Sequence, residues 1–148
     1  MKTIFIINGP NLNLLGIREP GIYGSTTYED LLEEIRKYCA KKEICPVFVQ
    51  SNHEGDLVDA IHRAFFEKAL GIVINPGAYT HTSIALLDAV KATSLPTVEV
   101  HISDVSRREA FRQISYIREA CLATISGHGT KGYAEAIDLL LAREENVL

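Results

Sequence analysis

The sequence predicts an α/β protein built on one parallel sheet with helices on both faces, and three observations lead to this prediction. Five short apolar runs alternate with five segments that favour helix, in strict β-then-α order. No repeat, low-complexity tract or linker interrupts the alternation. The 148 residues fit one domain, which at this size buries about 68 to 70% of the surface of its unfolded chain.

The predicted strands are short apolar runs bounded by turn residues. The first run is rich in Ile and Phe and ends at Gly-Pro, which is typical of a strand buried on both faces. Pro46 lies near the start of the second strand, where its missing N–H matters least. The five predicted strands are Lys2–Asn8, Ile44–Gln50, Gly71–Asn75, Thr97–Val100 and Ala123–Ser126.

The predicted helices carry apolar residues at helical spacing. Thr26-x-x-Glu29 matches a capping box at the start of the first helix. The predicted helices span residues 27–42, about 56–69, a segment ending near residue 93, about 108–119 and about 133–143. A five-stranded sheet of this kind most often takes the order 2-1-3-4-5, so we predict a flavodoxin-like three-layer sandwich with residues 1–148 as a single domain.

The longest connection follows the first strand and runs from Gly9 to Ser25. Unstructured loops longer than about 12 to 15 residues are usually lids, binding loops or disordered segments. This one contains several Leu and Ile residues, which argues against disorder. It also contains Arg18 and Tyr23, so we interpret residues 9 to 25, approximately, as an active-site lid that carries chemistry.

Polar residues follow the carboxyl ends of three predicted strands. Ligands of such sheets bind at this edge, near the point where the strand order reverses, so we expect one shared site. Simpler structural interpretations exist for several of the residues, such as turn formation by Asn75, a hydrogen-bonded histidine at the core edge for His101 and a surface role for Tyr23. The converging residues are Asn11, Arg18, Tyr23, Asn75, His81, His101, Ser103 and Asp104.

Composition argues against several classes of partner. The net charge of -4 gives no basic surface for nucleic acid. The three cysteines form no C-x-x-C pair and leave one unpaired, which favours a reduced, cytoplasmic chain. No apolar run is long enough for a signal peptide or a membrane span, so we expect a soluble protein with no membrane contact.

Cofactor motifs are also missing from the sequence. The histidines show no metal-binding spacing, and no phosphate-binding P-loop motif occurs. Gly127-x-Gly129-x-x-Gly132 has the spacing of a dinucleotide site but lacks the following strand and acidic residue, so we interpret it as a turn. Cofactor-free acid–base chemistry by Tyr, His, Arg and Asn is the remaining interpretation, with no metal.

Six motifs in the same order resemble type II 3-dehydroquinate dehydratase. They are Ile7-Asn8-Gly9-Pro10-Asn11-Leu12, Arg18-Glu19-Pro20 with Tyr23-Gly24, Gln50-Ser51-Asn52-His53-Glu54-Gly55, Asn75-Pro76-Gly77-Ala78-Tyr79-Thr80-His81-Thr82-Ser83, Glu99-Val100-His101-Ile102-Ser103, and Arg108-Glu109 with Phe111-Arg112. The resemblance implies reversible anti elimination of water from 3-dehydroquinate through an enolate, giving 3-dehydroshikimate in the third step of the shikimate pathway. It also implies a flavodoxin-like fold, no cofactor, and a homo-oligomer that is a dodecamer, a tetramer of trimers.

The resemblance implies a role for each matching residue. Tyr23 corresponds to the base, Arg18 to the cation that supports it, and His101 to the acid that protonates the departing hydroxyl. Asn11 corresponds to the asparagine near the enolate, and Glu99 to the residue that orients His101. The implied substrate contacts are Asn75, His81, the backbone at Ile102 and Ser103, Arg112, and Asp88 from across a trimer interface.

The sequence departs from the family pattern at three positions. Asp104 replaces the usual Asn, Leu87 a common Arg beside Asp88, and His128 a Leu. Two other functions stay open at this point: a flavodoxin-like small-molecule or nucleotide-binding module without catalysis, and another cofactor-free lyase acting on a related hydroxy-keto acid. An imine mechanism is disfavoured because the matched motifs contain no lysine.

Overall fold

The computed structural model describes residues 1–17 and 26–146. Within these residues the strands form one five-stranded parallel sheet in the order β2-β1-β3-β4-β5. The predicted order is therefore confirmed, and β4 extends one residue further than predicted. The strands are β1 (Lys2–Asn8), β2 (Ile44–Gln50), β3 (Gly71–Asn75), β4 (Thr97–His101) and β5 (Ala123–Ser126).

Helices cover both faces of the sheet, as predicted. The helices are α1 (Tyr28–Lys41), α2 (Glu54–Phe66), α3 (Ile84–Thr93) and α4 (Lys131–Asn146). α1 and α4 pack on one face, and α2 and α3 pack on the other. Short 3-10 turns occur at Leu12–Leu14, Gly77–His81, Val105–Arg107, Ala110–Arg112 and Ile117–Ala120.

β1 shows why the sheet holds these layers together. Successive side chains of a strand point to opposite faces. Ile4 and Ile6 pack in the core under α1 and α4, whereas Phe5 and Ile7 pack in the core under α2 and α3. All four side chains are fully buried, and burying a side chain of this size stabilises the fold by about 1.5 to 3 kcal/mol. The strand is buried on both faces, as its sequence predicts.

The helix predicted over residues 108–119 is wrong, because this segment forms separate 3-10 turns. The Gln113 side-chain amide donates to the carbonyl oxygens of Val105, Arg108 and Glu109. The backbone N–H of Tyr116 donates to the Thr80 carbonyl oxygen at 3.1 Å. These contacts take backbone groups that a continuous helix would pair internally, so tertiary structure overrides the local helical pattern.

The capping box of α1 also lies one residue later than predicted. Asp30 N donates to Thr27 Oγ1 and Thr27 N donates to Asp30 Oδ2, each at 3.1 Å. The sequence offers this pair and the overlapping pair Thr26 and Glu29 at the same spacing. The structure selects the pair that makes Tyr28 the first helical residue.

The predicted lid is partly described. Leu12–Leu14 form a 3-10 turn, and Leu12 and Leu15 are buried against the core under α1 and α4. The start of this connection therefore has structure of its own. Arg18 and Tyr23 lie outside the described residues.

Candidate active site

A cavity of about 170 Å³ lies at the carboxyl edge of the sheet, which is small relative to the clefts that hold drug-sized ligands. The segments after β1, β3 and β4 meet there, as the strand order predicts. The sequence-predicted residues that line it are Asn11, Asn75, His81, His101, Ile102, Ser103 and Arg112. Asp88 is instead exposed on α3, and Glu99 lies behind His101.

Two glycines let the segments after β1 and β3 approach each other. A Cβ atom on Gly9 would lie 2.3 Å from the carbonyl oxygen of Pro76, closer than real contacts allow. Gly77 adopts a φ of 61° and faces the carbonyl oxygen of Pro10, and glycine tolerates this left-handed conformation. The Gly9 N–H also donates to the Asn75 carbonyl oxygen at 2.8 Å. These contacts form one wall of the cavity.

Asn11 enters the cavity wall from a left-handed backbone conformation, with a φ of 70°. Asparagine is enriched in this region among non-glycine residues. Its backbone N–H donates to Asn52 Oδ1 at 3.0 Å, which anchors the segment after β1 to the segment after β2. The Asn11 side chain is exposed at the cavity edge.

His101 and Glu99 form a buried pair at the end of β4. The two residues lie two apart on the strand, so their side chains emerge on the same face. His101 Nε2 and Glu99 Oε2 are 2.5 Å apart, and both residues are buried. This contact is the one that an orienting role of Glu99 requires.

Three further side chains surround the Glu99 carboxylate. Ser115 Oγ donates to Oε2 at 2.8 Å, Thr124 Oγ1 donates to Oε1 at 2.9 Å, and Arg118 Nε lies 3.4 Å from Oε1. Burial favours a raised pKa for Glu99, but the hydrogen bonds and the charge of His101 outweigh burial and lower the pKa from 4.5 to about 2. The carboxylate is therefore ionised at neutral pH.

This pairing determines what His101 offers to a ligand. An ionised carboxylate accepts hydrogen bonds only, so Nε2 carries the hydrogen that faces Glu99. Nδ1 is then the ring nitrogen available to the cavity that His101 lines. When both ring nitrogens carry a hydrogen, Nδ1 is a proton donor. The geometry suits a general acid.

His81 is suited to accept a hydrogen bond, whereas His101 is suited to donate a proton. Its Nδ1 lies 2.7 Å from the Ile114 carbonyl oxygen, which can only accept, so Nδ1 carries the hydrogen. In the neutral ring Nε2 is then an acceptor, suited to a substrate hydroxyl.

Two arginine residues lie on one side of the cavity. Arg112 and Arg108 both line it, and Arg112 Nε pairs with Glu109 Oε2 at 2.6 Å. Guanidinium groups bind carboxylates in a bidentate manner, so this side is suited to an anionic group. Nearby, the carbonyl oxygens of Ile102 and Ser103 accept from Gly129 N and Ser126 Oγ, which fixes the segment after β4.

Asp104 does not line this cavity, although the sequence places it beside the site. Its carboxylate accepts from the backbone N–H and the hydroxyl of Ser106, at 3.1 and 2.6 Å, and pairs with Arg107. The side-chain hydrogen bond from Ser106 is the largest of the effects that lower its pKa. The negative charge of Asp104 is therefore paired with groups of its own turn.

The two other departures lie away from the cavity lining. Leu87 belongs to α3 and is buried in the core under that helix's face of the sheet, next to the exposed Asp88. His128 Nδ1 lies 2.6 Å from Glu135 Oε2 in an exposed pair. His128 belongs to the glycine-rich segment, in which Gly127 and Gly129 adopt positive φ values between β5 and α4, so the interpretation of that motif as a turn is confirmed.

Sequence reasoning missed a set of buried polar contacts behind Asn75. Tyr28 is partly buried and its hydroxyl accepts from Asn8 Nδ2 at 3.4 Å. Tyr133 is fully buried and bonds to both Asn8 and Asn75. The available signal is that Tyr133 shares a helical face with Ile137 and Leu140, because a buried tyrosine hydroxyl needs a partner.

A larger open groove lies at the opposite edge of the sheet. It is lined by the starts of β1 and β2 and by charged side chains such as Lys42, Glu67 and Glu145. Ligands of this fold bind at the carboxyl edge, so the smaller cavity is the candidate active site.

Residues 1–17 and 26–146 contain neither a metal-binding cluster nor a membrane-spanning helix. No group of three or more His, Cys, Asp or Glu side chains there is arranged to hold a metal ion. None of the helices in the same residues has the length and apolar character needed to cross a membrane.

Comparison with known proteins gives a consistent result. The family model described as dehydroquinase class II matches residues 2–141. The 3-dehydroquinate dehydratase of Caldicellulosiruptor bescii is 56% identical over 137 residues, covering 93% of this chain and 94% of that protein.

Solved structures agree in fold. The type II dehydroquinase of Butyrivibrio crossotus superposes with a TM-score of 0.92 at 52% identity, covering 94% of this chain and 97% of that one. The type II dehydroquinase of Propionibacterium acnes gives a TM-score of 0.90 at 39% identity, covering 95% and 96%. The family match spans nearly the whole chain and includes every element that forms the cavity, and on this evidence the chain belongs to the class II dehydroquinase family.

Proposed function

We propose that this chain catalyses the reversible anti elimination of water from 3-dehydroquinate to give 3-dehydroshikimate, the third step of the shikimate pathway. The observation that carries the proposal is the buried His101–Glu99 pair, which faces a small cavity lined by Asn75, His81 and Arg112. The names of the relatives support the choice of substrate.

In the proposed first step, a base removes the proton from the carbon next to the ketone. The C–H electrons move toward the carbonyl, so negative charge develops on the ketone oxygen as an enolate. We assign the base to Tyr23, which lies outside the described residues. A tyrosine has an ordinary pKa near 10, so it needs a nearby cation to act as a base at neutral pH, and Arg18 on the same segment is the proposed cation.

Stabilisation of the enolate requires donors aimed at the developing charge. Asn11 carries a side-chain amide at the cavity edge, and we propose that it acts there, directly or through a water molecule. Hydrogen-bond donors of this kind are worth about 10² to 10³ in rate when they are preorganised.

In the proposed second step, the enolate collapses and the bond from the neighbouring carbon to its hydroxyl breaks. His101 delivers a proton to the departing oxygen, so water leaves and a carbon–carbon double bond forms in conjugation with the ketone. Glu99 keeps the imidazole in the correct orientation through Nε2. We propose that Arg112 and the backbone at Ile102 and Ser103 hold the substrate carboxylate, and that Asn75 and His81 hold its hydroxyls.

The assembly is also part of the proposal. We propose a homododecamer, a tetramer of trimers, in which the exposed Asp88 of α3 contacts the substrate across a trimer interface. The proposed reaction needs no cofactor or metal, and a biosynthetic role is consistent with a cytoplasmic location. Light scattering tests the assembly, and a monomer in solution is incompatible with the assignment of Asp88.

The decisive experiment on the site compares two histidine variants. His101→Ala is expected to lower kcat by about 100- to 10,000-fold, the usual contribution of general acid–base catalysis. His62→Ala removes an exposed histidine of α2 and serves as the matched control, with activity within about twofold of wild type. Equal activity of the two variants would remove His101 from the mechanism. Tight binding without turnover by wild type would favour a binding module instead.

A further inference from the structure

Asn8 and Asn75 end two neighbouring strands at the same level. They are register partners of β1 and β3, so their side chains emerge on the same face of the sheet. Both are buried, with exposures of 0% and 5%. Buried amides need hydrogen-bond partners, and α4 supplies one through Tyr133, which is itself fully buried.

The Tyr133 hydroxyl links the two amides. It donates to Asn8 Oδ1 at 2.6 Å and accepts from Asn75 Nδ2 at 3.3 Å. A hydroxyl has a single hydrogen to donate. Because that hydrogen is used by Asn8, the hydroxyl can face Asn75 only as an acceptor, so Asn75 must present its NH₂ group to Tyr133.

A second contact fixes the other end of the Asn75 amide. The backbone N–H of Gly77 donates to Asn75 Oδ1 at 3.1 Å. The amide oxygen therefore faces Gly77 and the nitrogen faces Tyr133, which removes the ambiguity between the two amide orientations. Asn75 also lines the cavity, and its NH₂ group retains one further hydrogen.

We propose that Tyr133 is a positioning residue that fixes the side-chain amide of Asn75 so that its free N–H donates to an oxygen of the substrate. The identity of the substrate in this proposal rests on the proposed function. Burial raises the pKa of the Tyr133 hydroxyl well above its ordinary value, so the group keeps its hydrogen across the working pH range. Tyr133 acts through Asn75 and does not itself line the cavity.

The test is the variant Tyr133→Phe, which deletes the hydroxyl and keeps the ring. One hydrogen bond to a substrate is worth about 0.5 to 1.5 kcal/mol, so KM for 3-dehydroquinate is expected to rise about 3- to 10-fold while kcat stays within about twofold. Tyr38→Phe is the matched control, because the Tyr38 hydroxyl of α1 donates a hydrogen bond to Asp138 of α4 on the protein surface. The control is expected to leave both constants unchanged.

A double-mutant cycle separates positioning from general packing. Asn75→Ala is expected to raise KM on its own, and adding Tyr133→Phe to it is expected to change KM by less than about twofold. Additive effects on KM would overturn the proposal, as would a fall in kcat at unchanged KM. If Tyr133→Phe does not fold, Asn8→Ala serves as the second variant. Asn8→Ala removes the acceptor of the Tyr133 hydroxyl hydrogen, which can then turn toward Asn75. This variant is expected to raise KM similarly, and an unchanged KM would overturn the proposal.

Failure of the proposed function is recognised separately, because wild type then shows no turnover. In that case the side-chain amide signals of Asn75 in ¹⁵N-labelled protein provide the test. Tyr133→Phe is expected to shift these signals and to speed their hydrogen exchange relative to wild type and Tyr38→Phe. Unchanged signals would overturn the positioning role.

Discussion

Replacing Glu99 with glutamine is expected to destabilise the protein at neutral pH and to destabilise it much less in acid. Glu99 is fully buried, and its two carboxylate oxygens contact His101, Ser115, Thr124 and Arg118. Glutamine keeps the shape of the side chain but removes the charge, and its NH₂ group is a donor where the carboxylate accepts. At least one of the surrounding donors then loses its partner.

The magnitude follows from the pKa of Glu99. Burial favours a raised pKa, but the stronger effect of the surrounding donors, His101 above all, lowers it from 4.5 to about 2. Because the folded-state pKa is depressed, the ionised form contributes stability above about pH 4.5, and this contribution is lost as the pH falls toward 2. A shift of this size corresponds to about 3 kcal/mol at neutral pH and about 1 kcal/mol at pH 3.

Urea unfolding at one fixed protein concentration measures this effect. The difference in free energy of unfolding between wild type and Glu99→Gln is expected to be about 3 kcal/mol at neutral pH and to shrink steadily below about pH 4.5. Glu33→Gln, on the exposed face of α1, is the control and is expected to change stability by less than about 0.5 kcal/mol. A loss of unfolding free energy in Glu99→Gln that is the same at neutral pH and at pH 3 would refute the electrostatic explanation.

Two further predictions concern the backbone around the site. Gly9→Ala is expected to lower stability by about 1 to 3 kcal/mol, because its Cβ would lie 2.3 Å from the Pro76 carbonyl oxygen; unfolding at a wild-type urea midpoint would contradict this. Thr27→Ala is expected to cost about 1 kcal/mol through loss of the capping box with Asp30, whereas Thr26→Ala is expected to be nearly neutral. If thermal unfolding shows that Thr26→Ala is more destabilising than Thr27→Ala, the capping box is instead formed by Thr26 and Glu29.

The sheet could be predicted from sequence because its strands are short apolar runs with clear ends. Gly71–Asn75, for example, is entirely buried and is followed directly by Pro76 and Gly77. The convergence of Asn11, Asn75 and His101 was also predictable, because the carboxyl ends of parallel strands share one edge. These inferences need only local pattern and chain topology.

The parts that sequence reasoning missed depend on partners far away in the chain. Tyr133 bonds to Asn8 across 125 positions, and no local pattern specifies which hydroxyl meets which amide. The segment around Gln113 has helical periodicity, but side-chain and backbone contacts such as that between Tyr116 and Thr80 disrupt the helix. Tertiary contacts of this kind override local propensity.

The most direct test of the proposed chemistry is ultraviolet absorbance after mixing the protein with 3-dehydroquinate. The elimination creates a carbon–carbon double bond conjugated with the ketone, so wild type is expected to produce a rise in enone absorbance. Tyr23→Phe, which lacks the proposed base, is expected to produce none while keeping the wild-type fold by circular dichroism. Absence of a rise with wild type would contradict the proposed dehydratase activity, and an equal rise with Tyr23→Phe would contradict the assignment of the base.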